Sequence, residues 1–164
     1  MLLALSSCTH DAPAFTDRPA ANATAAPMLP TTVGALPMTD PPGYRELLGQ
    51  LRGTPVVVNI WGSWCAPCRS EAPELKAASA KYGHEVQFLG VDILDTRDGA
   101  HAFMAEFGTT YPSVFDPSAS IRDMLGFLGQ PDTLFYGRDG TLVTSWRGPI
   151  GKPQLEQGLR QILG

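Results

Sequence analysis

Two cysteines, Cys65 and Cys68, stand between a β-branched apolar run and a long stretch rich in Ala, Glu, Leu and Lys. The run at 54–61 is bounded by glycines, and it predicts a buried central strand. The stretch Ala66–Tyr82 predicts a helix that ends at Gly83. The chain must therefore fold so that a CxxC pair lies where a buried strand turns into a helix.

Further strands and helices are predicted along the rest of the chain. The two segments 133–136 and 141–146 flank a turn with glycine at both ends, which indicates a hairpin. Ser118 is the expected cap of a helix at 118–126, and Trp146 is expected to pack inside the protein. The other predicted elements are strands at 86–93 and near 113–115 and helices at 98–107 and 153–163. This order implies an α/β domain, with a mixed central sheet flanked by helices on both faces.

A CxxC pair in the first turn of a helix is suited to disulfide exchange. The spacing brings the two sulfurs within bonding reach, and the free N–H groups of the helix N-terminus favour a thiolate at Cys65. We expect Cys65 to be the exposed sulfur, which attacks a partner disulfide, and Cys68 to resolve the mixed disulfide. The alternatives are a passive disulfide and half of a zinc site, although the chain has no second CxxC and three histidines.

The segment at 57–75, VVNIWGSWCAPCRSEAPEL, resembles the active-site segment of the TlpA/ResA-like branch of the thioredoxin superfamily. The resemblance extends over residues 35–164, and its other marks are GQPDT at 129–133 and Asp139-Gly140. It implies a thioredoxin fold and a thiol–disulfide oxidoreductase. By the same resemblance Cys65 is the attacking cysteine, Cys68 is the buried one, and Pro131 is a cis proline that faces them.

The resemblance also implies roles for the residues around the cysteines. Glu71, three residues after Cys68, matches a glutamate that moves the proton of the second cysteine, and burial would raise its pKa into a useful range. Asn59 stands where cytosolic thioredoxins carry a buried Asp, and an amide cannot titrate. We expect the backbone at Gln130 and Pro131 to pair with an extended client. The side chains expected to contact that client are Trp64, Ala66 and Pro67.

By resemblance, the reaction would reduce protein disulfides, for example those of the haem-binding cysteines of apocytochrome c. The redox-active Cys65–Cys68 disulfide would be the working group, with no metal and no organic cofactor. The expected partners are protein thiol or disulfide clients and a membrane thiol carrier that supplies electrons, and we expect a monomer. The alternatives are a disulfide-forming oxidase of the same fold, a copper-binding thioredoxin-fold chaperone and a peroxide reductase.

The charge of the chain argues against nucleic acid as a partner. The net charge is -4 at pH 7, the isoelectric point is about 5.2, and the sequence has no run of lysines and arginines. A protein that binds nucleic acid usually carries a basic patch that neutralises phosphates.

The N-terminus carries a different signal. Residues 5–8, Leu-Ser-Ser-Cys, resemble a bacterial lipobox, in which the cysteine is lipidated. We interpret residues 1–8 as a truncated lipoprotein signal remnant, with an ordinary chain terminus as the alternative. The Ala/Pro/Thr-rich segment 9–34 is predicted to be a disordered linker to the domain at 35–164. A lipid on Cys8 would place the domain outside the cytoplasm on a bacterial cell membrane, where disulfides form readily.

Overall fold

The computed structural model describes Leu29 and residues 32–164. The predicted lipidation site Cys8 and most of the predicted linker lie outside these residues. Leu29 packs against the hydrophobic core of the domain. Among the helices described, none combines the length and the apolar character that a membrane span requires.

The described part of the chain forms five strands and five helices, which alternate except that β4 and β5 follow each other directly. The helices are α1 (Pro41–Gln50), α2 (Ala66–Tyr82), α3 (Arg97–Phe107), α4 (Ser120–Met124) and α5 (Lys152–Leu163). The strands are β1 (Val56–Trp61), β2 (Gln87–Ile93), β3 (Ser113–Asp116), β4 (Asp132–Tyr136) and β5 (Leu142–Arg147). They form one sheet in the order β3-β2-β1-β4-β5. Strands β1, β2 and β3 are parallel, whereas β4 is antiparallel to both β1 and β5.

Strand β1 lies at the centre of the sheet and is buried along its whole length. Its alternate side chains enter different clusters, because successive residues of a strand point to opposite faces. Val56, Val58 and Ile60 pack in a cluster with residues of α1 and α4. Val57 and Trp61 pack on the other face with residues of α2, α3 and α5. The predicted mixed sheet with helices on both faces is therefore confirmed.

Helix α1 was missing from the sequence prediction, although its start carries a clear signal. Asp40 accepts a hydrogen bond from the backbone N–H of Gly43, and Pro41 occupies the first helical position. A capping aspartate followed by proline is typical of a helix N-terminus. Tyr44 and Leu47 then bury one side of the helix in the core.

Two smaller predictions were wrong. The cap residue of α4 is Ala119, in the left-handed conformation, and the Ser118 hydroxyl instead donates to the carboxylate of Asp116. Asp116 also accepts a hydrogen bond from the backbone N–H of Ile121. Its side chain therefore binds a backbone N–H at the start of α4, which is the role expected of Ser118. Trp146 is exposed rather than packed inside, because it lies on the edge strand β5.

Candidate active site

Cys65 and Cys68 form a disulfide at the start of α2, with their Cα atoms 5.2 Å apart. Cys65 is the residue that caps the helix, and its Sγ lies 3.2 Å from the backbone N–H of Cys68, which donates to it. Cys65 was expected to be exposed, but only 3% of its surface is accessible in this oxidised state. An incoming thiol therefore has to approach a largely covered sulfur.

The peptide bond between Gln130 and Pro131 is cis, as the resemblance implied. The carbonyl oxygen of Gln130 lies 4.0 Å from Sγ of Cys65. The loop before β4 therefore lies against the disulfide and covers part of Cys65. The side chain of Gln130 accepts a hydrogen bond from Arg122 of α4, at 3.4 Å.

Glu71, in α2, is buried, with 2% of its surface accessible. It lies one helical turn after Cys68 and therefore on the same face of the helix. Its Oε1 accepts from Nδ2 of Asn59 at 2.7 Å, and its Oε2 accepts from the backbone N–H of Ile150 at 2.8 Å. Burial raises the pKa of Glu71 to about 7, although both hydrogen bonds act to lower it. At neutral pH such a carboxyl group can both accept and release a proton.

Asn59 and Asp132 belong to the site in ways that sequence reasoning missed. Asn59 cannot titrate, but its amide binds Glu71 and also donates to Oγ1 of Thr133 on β4. Asp132 directly follows the cis proline and is buried, and its negative charge helps to raise the pKa of Glu71. Burial also raises the pKa of Asp132 itself, to about 6, against the opposing charges of Arg147 and Arg122. The sequence signal for Asp132 was its position after Pro131.

Exposed apolar side chains surround the covered disulfide. Trp64 is 53% exposed, and its Nε1 donates to the carbonyl of Leu94, which is also exposed. Leu128 is 99% exposed at the rim of a cleft of about 210 Å³ that also includes Pro131. Ala66 and Pro67 are exposed in the first turn of α2. The predicted client-contacting side chains Trp64, Ala66 and Pro67 are therefore exposed on either side of Cys65 in the sequence.

Other candidate residues lie away from the site or inside the core. Trp61 is buried and stacks on Phe103 with ring centroids 4.4 Å apart, as its place in the central strand predicted. His84 and His101 are exposed, and Nε2 of His101 contacts the carbonyl of Gly34. Across Leu29 and residues 32–164, no three or more His, Cys, Asp or Glu side chains are grouped to hold a metal ion.

The fold and the site define a class of protein. A mixed sheet, a CxxC disulfide at a helix start and a facing cis proline together make a thioredoxin-fold thiol–disulfide oxidoreductase. Residues 40–145 match the model of the AhpC/TSA family, and the chain belongs to that family. The chain is 30% identical over 126 residues to the thiol-disulfide oxidoreductase ResA of Bacillus anthracis, covering 76% of this chain and 73% of that protein.

Solved structures support the same class. DsbF of Mycobacterium tuberculosis, solved in mixed oxidised and reduced forms, superposes with a TM-score of 0.64 at 26% identity, covering 69% of this chain and 84% of that one. A secreted thiol-disulfide isomerase from Corynebacterium glutamicum also gives a TM-score of 0.64, at 26% identity, over 71% of this chain and 75% of that one. The predicted thioredoxin fold and the predicted enzyme class are confirmed.

Proposed function

We propose that this protein works as a reductant, which transfers an electron pair from the Cys65–Cys68 dithiol to disulfides of other proteins outside the cytoplasm. The observation that carries the direction is the acidic surroundings of the cysteine pair. Glu71 is buried on the α2 side of the sheet, and Asp132 is buried at the start of β4, directly after the cis proline. A negative charge on either group raises the cost of another negative charge nearby.

A dithiol becomes a strong oxidant when its reduced form is stabilised, chiefly through a stable thiolate. Here the Sγ of Cys65 accepts one hydrogen bond, from the backbone of Cys68. Arg69 is the cation next in sequence, and its guanidinium is paired with Glu106 and lies over the ring of Phe107. These surroundings offer the thiolate little extra stabilisation, which supports a reducing pair.

Glu71 supplies the proton step of the proposed reaction. The thiolate of Cys65 attacks a client disulfide, which forms a mixed disulfide and releases one client sulfur as a thiolate. Cys68 then gives its proton to the Glu71 carboxylate and attacks Sγ of Cys65. The second client sulfur leaves, the client has gained two electrons, and the Cys65–Cys68 disulfide is restored. The Glu71 pKa of about 7 suits a group that accepts a proton and later returns it.

The surface around the disulfide supports a protein as the client. We propose that an extended client segment lies along the backbone of Gln130 and Pro131, between Trp64 on one side and Leu128 on the other. Aromatic and apolar side chains exposed next to a reactive group provide area for contact with a polypeptide. Ala66 and Pro67 offer a small surface that lets the client sulfur approach Cys65.

The place of action and the electron source are further parts of the proposal. A related structure is named as a secreted protein, which supports an extracytoplasmic location. The lipobox-like residues 5–8 support a tether to a bacterial membrane through lipidated Cys8, and we propose that the protein works as a monomer. A reductant in an oxidising compartment must be reduced again after each cycle. We propose that a membrane thiol carrier does this, and that apocytochrome c is one client.

A peptide assay tests the direction. The reduced protein is mixed with a synthetic peptide whose C-x-x-C-H cysteines, the haem-attachment spacing, are joined in a disulfide. We expect free peptide thiols and oxidised protein, with a trapped mixed disulfide in Cys68→Ser and no reaction in Cys65→Ser. If the peptide stays oxidised and the oxidised protein instead oxidises the reduced peptide, the protein is a disulfide-forming oxidase.

A further inference from the structure

A second group of carboxyl side chains lies on the β2 side of the active site. Asp95, in the loop after β2, accepts from the backbone N–H of Ser63 at 2.6 Å and from the Ser63 hydroxyl at 2.9 Å. It also accepts from the backbone N–H of Thr96. Ser63 is two residues before Cys65, so Asp95 fastens the turn that leads into α2. Asp95 is the acceptor in all three of these hydrogen bonds.

Asp92 lies directly before this loop and has the opposite environment. None of its surface is accessible, and within the described part of the chain neither of its carboxyl oxygens accepts a hydrogen bond. Buried polar atoms without partners are rare in folded proteins and call for an explanation. The nearby charge of Asp95 also acts on Asp92 and helps to raise its pKa.

Two ionised carboxylates cannot bond to each other, because both only accept hydrogen bonds. A proton on Asp92 removes the conflict, since Asp92 then donates to Asp95 and the buried group is neutral. We propose that Asp92 is a positioning residue that stays protonated and donates a hydrogen bond to Asp95. Asp95, held in this way, keeps the Ser63–Trp64 turn in place next to the disulfide. Asp92 acts through Asp95 and touches neither the client nor the sulfurs.

Among the described residues, the cation next to a sheet neighbour of Asp92 is Arg97, whose guanidinium lies over the ring of Phe115, 4.8 Å from its centroid, and donates to the carbonyl of Leu36. The neighbours of Asp92 in the sheet are Trp61 on β1 and Phe115 on β3. Ser113 on β3 is polar but does not titrate in this range. Burial is the largest cause that raises the pKa of Asp92, to about 9, and Asp95 adds to it. Ionisation at higher pH would place two negative charges together under the turn and weaken the bonds from Ser63.

The test uses the oxidised protein, in which Cys65 and Cys68 do not titrate. We would follow the amide resonance of Ser63 by NMR from pH 6 to 9.5, and measure the rate constant for reduction per dithiothreitol thiolate. We expect the Ser63 resonance to move above about pH 8 in the wild type, with the rate constant falling about threefold. Asp92→Asn keeps a donor toward Asp95 and cannot ionise, so both readouts should stay flat above about pH 8, where Glu71 is already ionised.

Two further variants separate positioning from packing. Asp92→Leu removes the donor, so its rate constant at pH 7 should be about threefold below that of Asp92→Asn. Ser63→Ala removes one bond to Asp95, and should lower the rate constant while keeping the pH response of the wild type. The proposal is overturned if the wild-type resonance and rate do not change above about pH 8, or if Asp92→Asn changes there as the wild type does. These readouts do not depend on the direction of electron flow.

Discussion

Glu71 and Asp92 are buried carboxyl groups on two sides of the same active site, and they differ in their partners. Glu71 accepts hydrogen bonds from Asn59 and from the backbone of Ile150. Asp92 accepts none within the described residues and faces another carboxyl group, that of Asp95. Burial raises the pKa of both, to about 7 for Glu71 and to about 9 for Asp92.

The difference shows that burial alone does not make a carboxyl group a proton carrier. Donors aimed at Glu71 stabilise its ionised form, which offsets part of the desolvation and leaves the pKa near neutral pH. Asp92 lacks such donors, so it keeps its proton at neutral pH and can donate a hydrogen bond. Two similar groups in one fold are thereby suited to different roles.

The largest expected effect concerns stability as a function of pH. Each acid has a higher pKa in the folded protein than in the unfolded chain, so stability falls by roughly 1.4 kcal/mol per pH unit per group between its two pKa values. For Glu71 this window runs from 4.5 to about 7, and for Asp92 from 3.8 to about 9. The stability of Glu71→Gln relative to wild type should therefore rise and level off near pH 7. That of Asp92→Asn should continue to rise toward pH 9.

Denaturant unfolding of the oxidised proteins at pH 5 to 9 measures this difference. For Glu71 the total change is on the order of 3 kcal/mol. The constant cost of each substitution cancels because only the dependence on pH is compared. If the curves of both variants level off at the same pH, the two carboxyl groups do not differ as described.

The next largest effect is on the exchange rate. Glu71→Gln cannot accept the proton of Cys68, so resolution of the mixed disulfide should slow on the order of 100-fold at neutral pH. The inflection near pH 7 should disappear from the pH profile. Glu74→Gln, on the same helix three residues further, is the matched control and should keep the wild-type profile. An unchanged profile in Glu71→Gln would remove Glu71 from the mechanism.

A smaller effect is expected when Glu71 loses one of its hydrogen-bond donors, because its environment then becomes more like that of Asp92. Asn59→Leu removes a donor that lowers the pKa of Glu71, so the inflection of the exchange profile should move upward by roughly half to one pH unit. Thr133→Val is the control, because it removes the other contact of the Asn59 amide and leaves the bond to Glu71. A downward shift in Asn59→Leu would contradict the role given to this amide.

The smallest expected effect comes from Asp132. Its charge raises the pKa of Glu71, and this is the weakest of the causes that act on Glu71. Asp132→Asn should therefore move the inflection downward by a few tenths of a pH unit. Asp139→Asn, in the exposed hairpin turn, should leave the profile unchanged. Equal profiles for both variants would show that Asp132 does not act on Glu71.

Local patterns predicted much of this fold and part of the site. A β-branched run before Cys65 and an Ala-rich stretch after it were sufficient for β1 and α2, because such patterns are local. The cis proline at Pro131 and the place of Glu71 followed from motifs rather than from physics. Helix α1 could have been predicted from the capping Asp40, since that signal is also local.

The parts of the site that local patterns did not predict depend on contacts between distant parts of the chain. The second donor to Glu71 is Ile150, 79 residues away in sequence. The cover over Cys65 comes from the loop at Gln130, 65 residues away. No periodicity or spacing encodes such contacts, so the sequence could not predict the burial of Cys65 or the isolation of Asp92.

The reduction potential of the Cys65–Cys68 pair tests the central claim most directly. It can be measured by equilibration in defined thiol buffers, followed by a gel shift of the alkylated thiols. Acidic surroundings that disfavour the thiolate predict a value near or below about -250 mV, in the range of thioredoxin. A value near about -120 mV, like that of a strong periplasmic oxidant, would contradict the account and make the protein a disulfide donor.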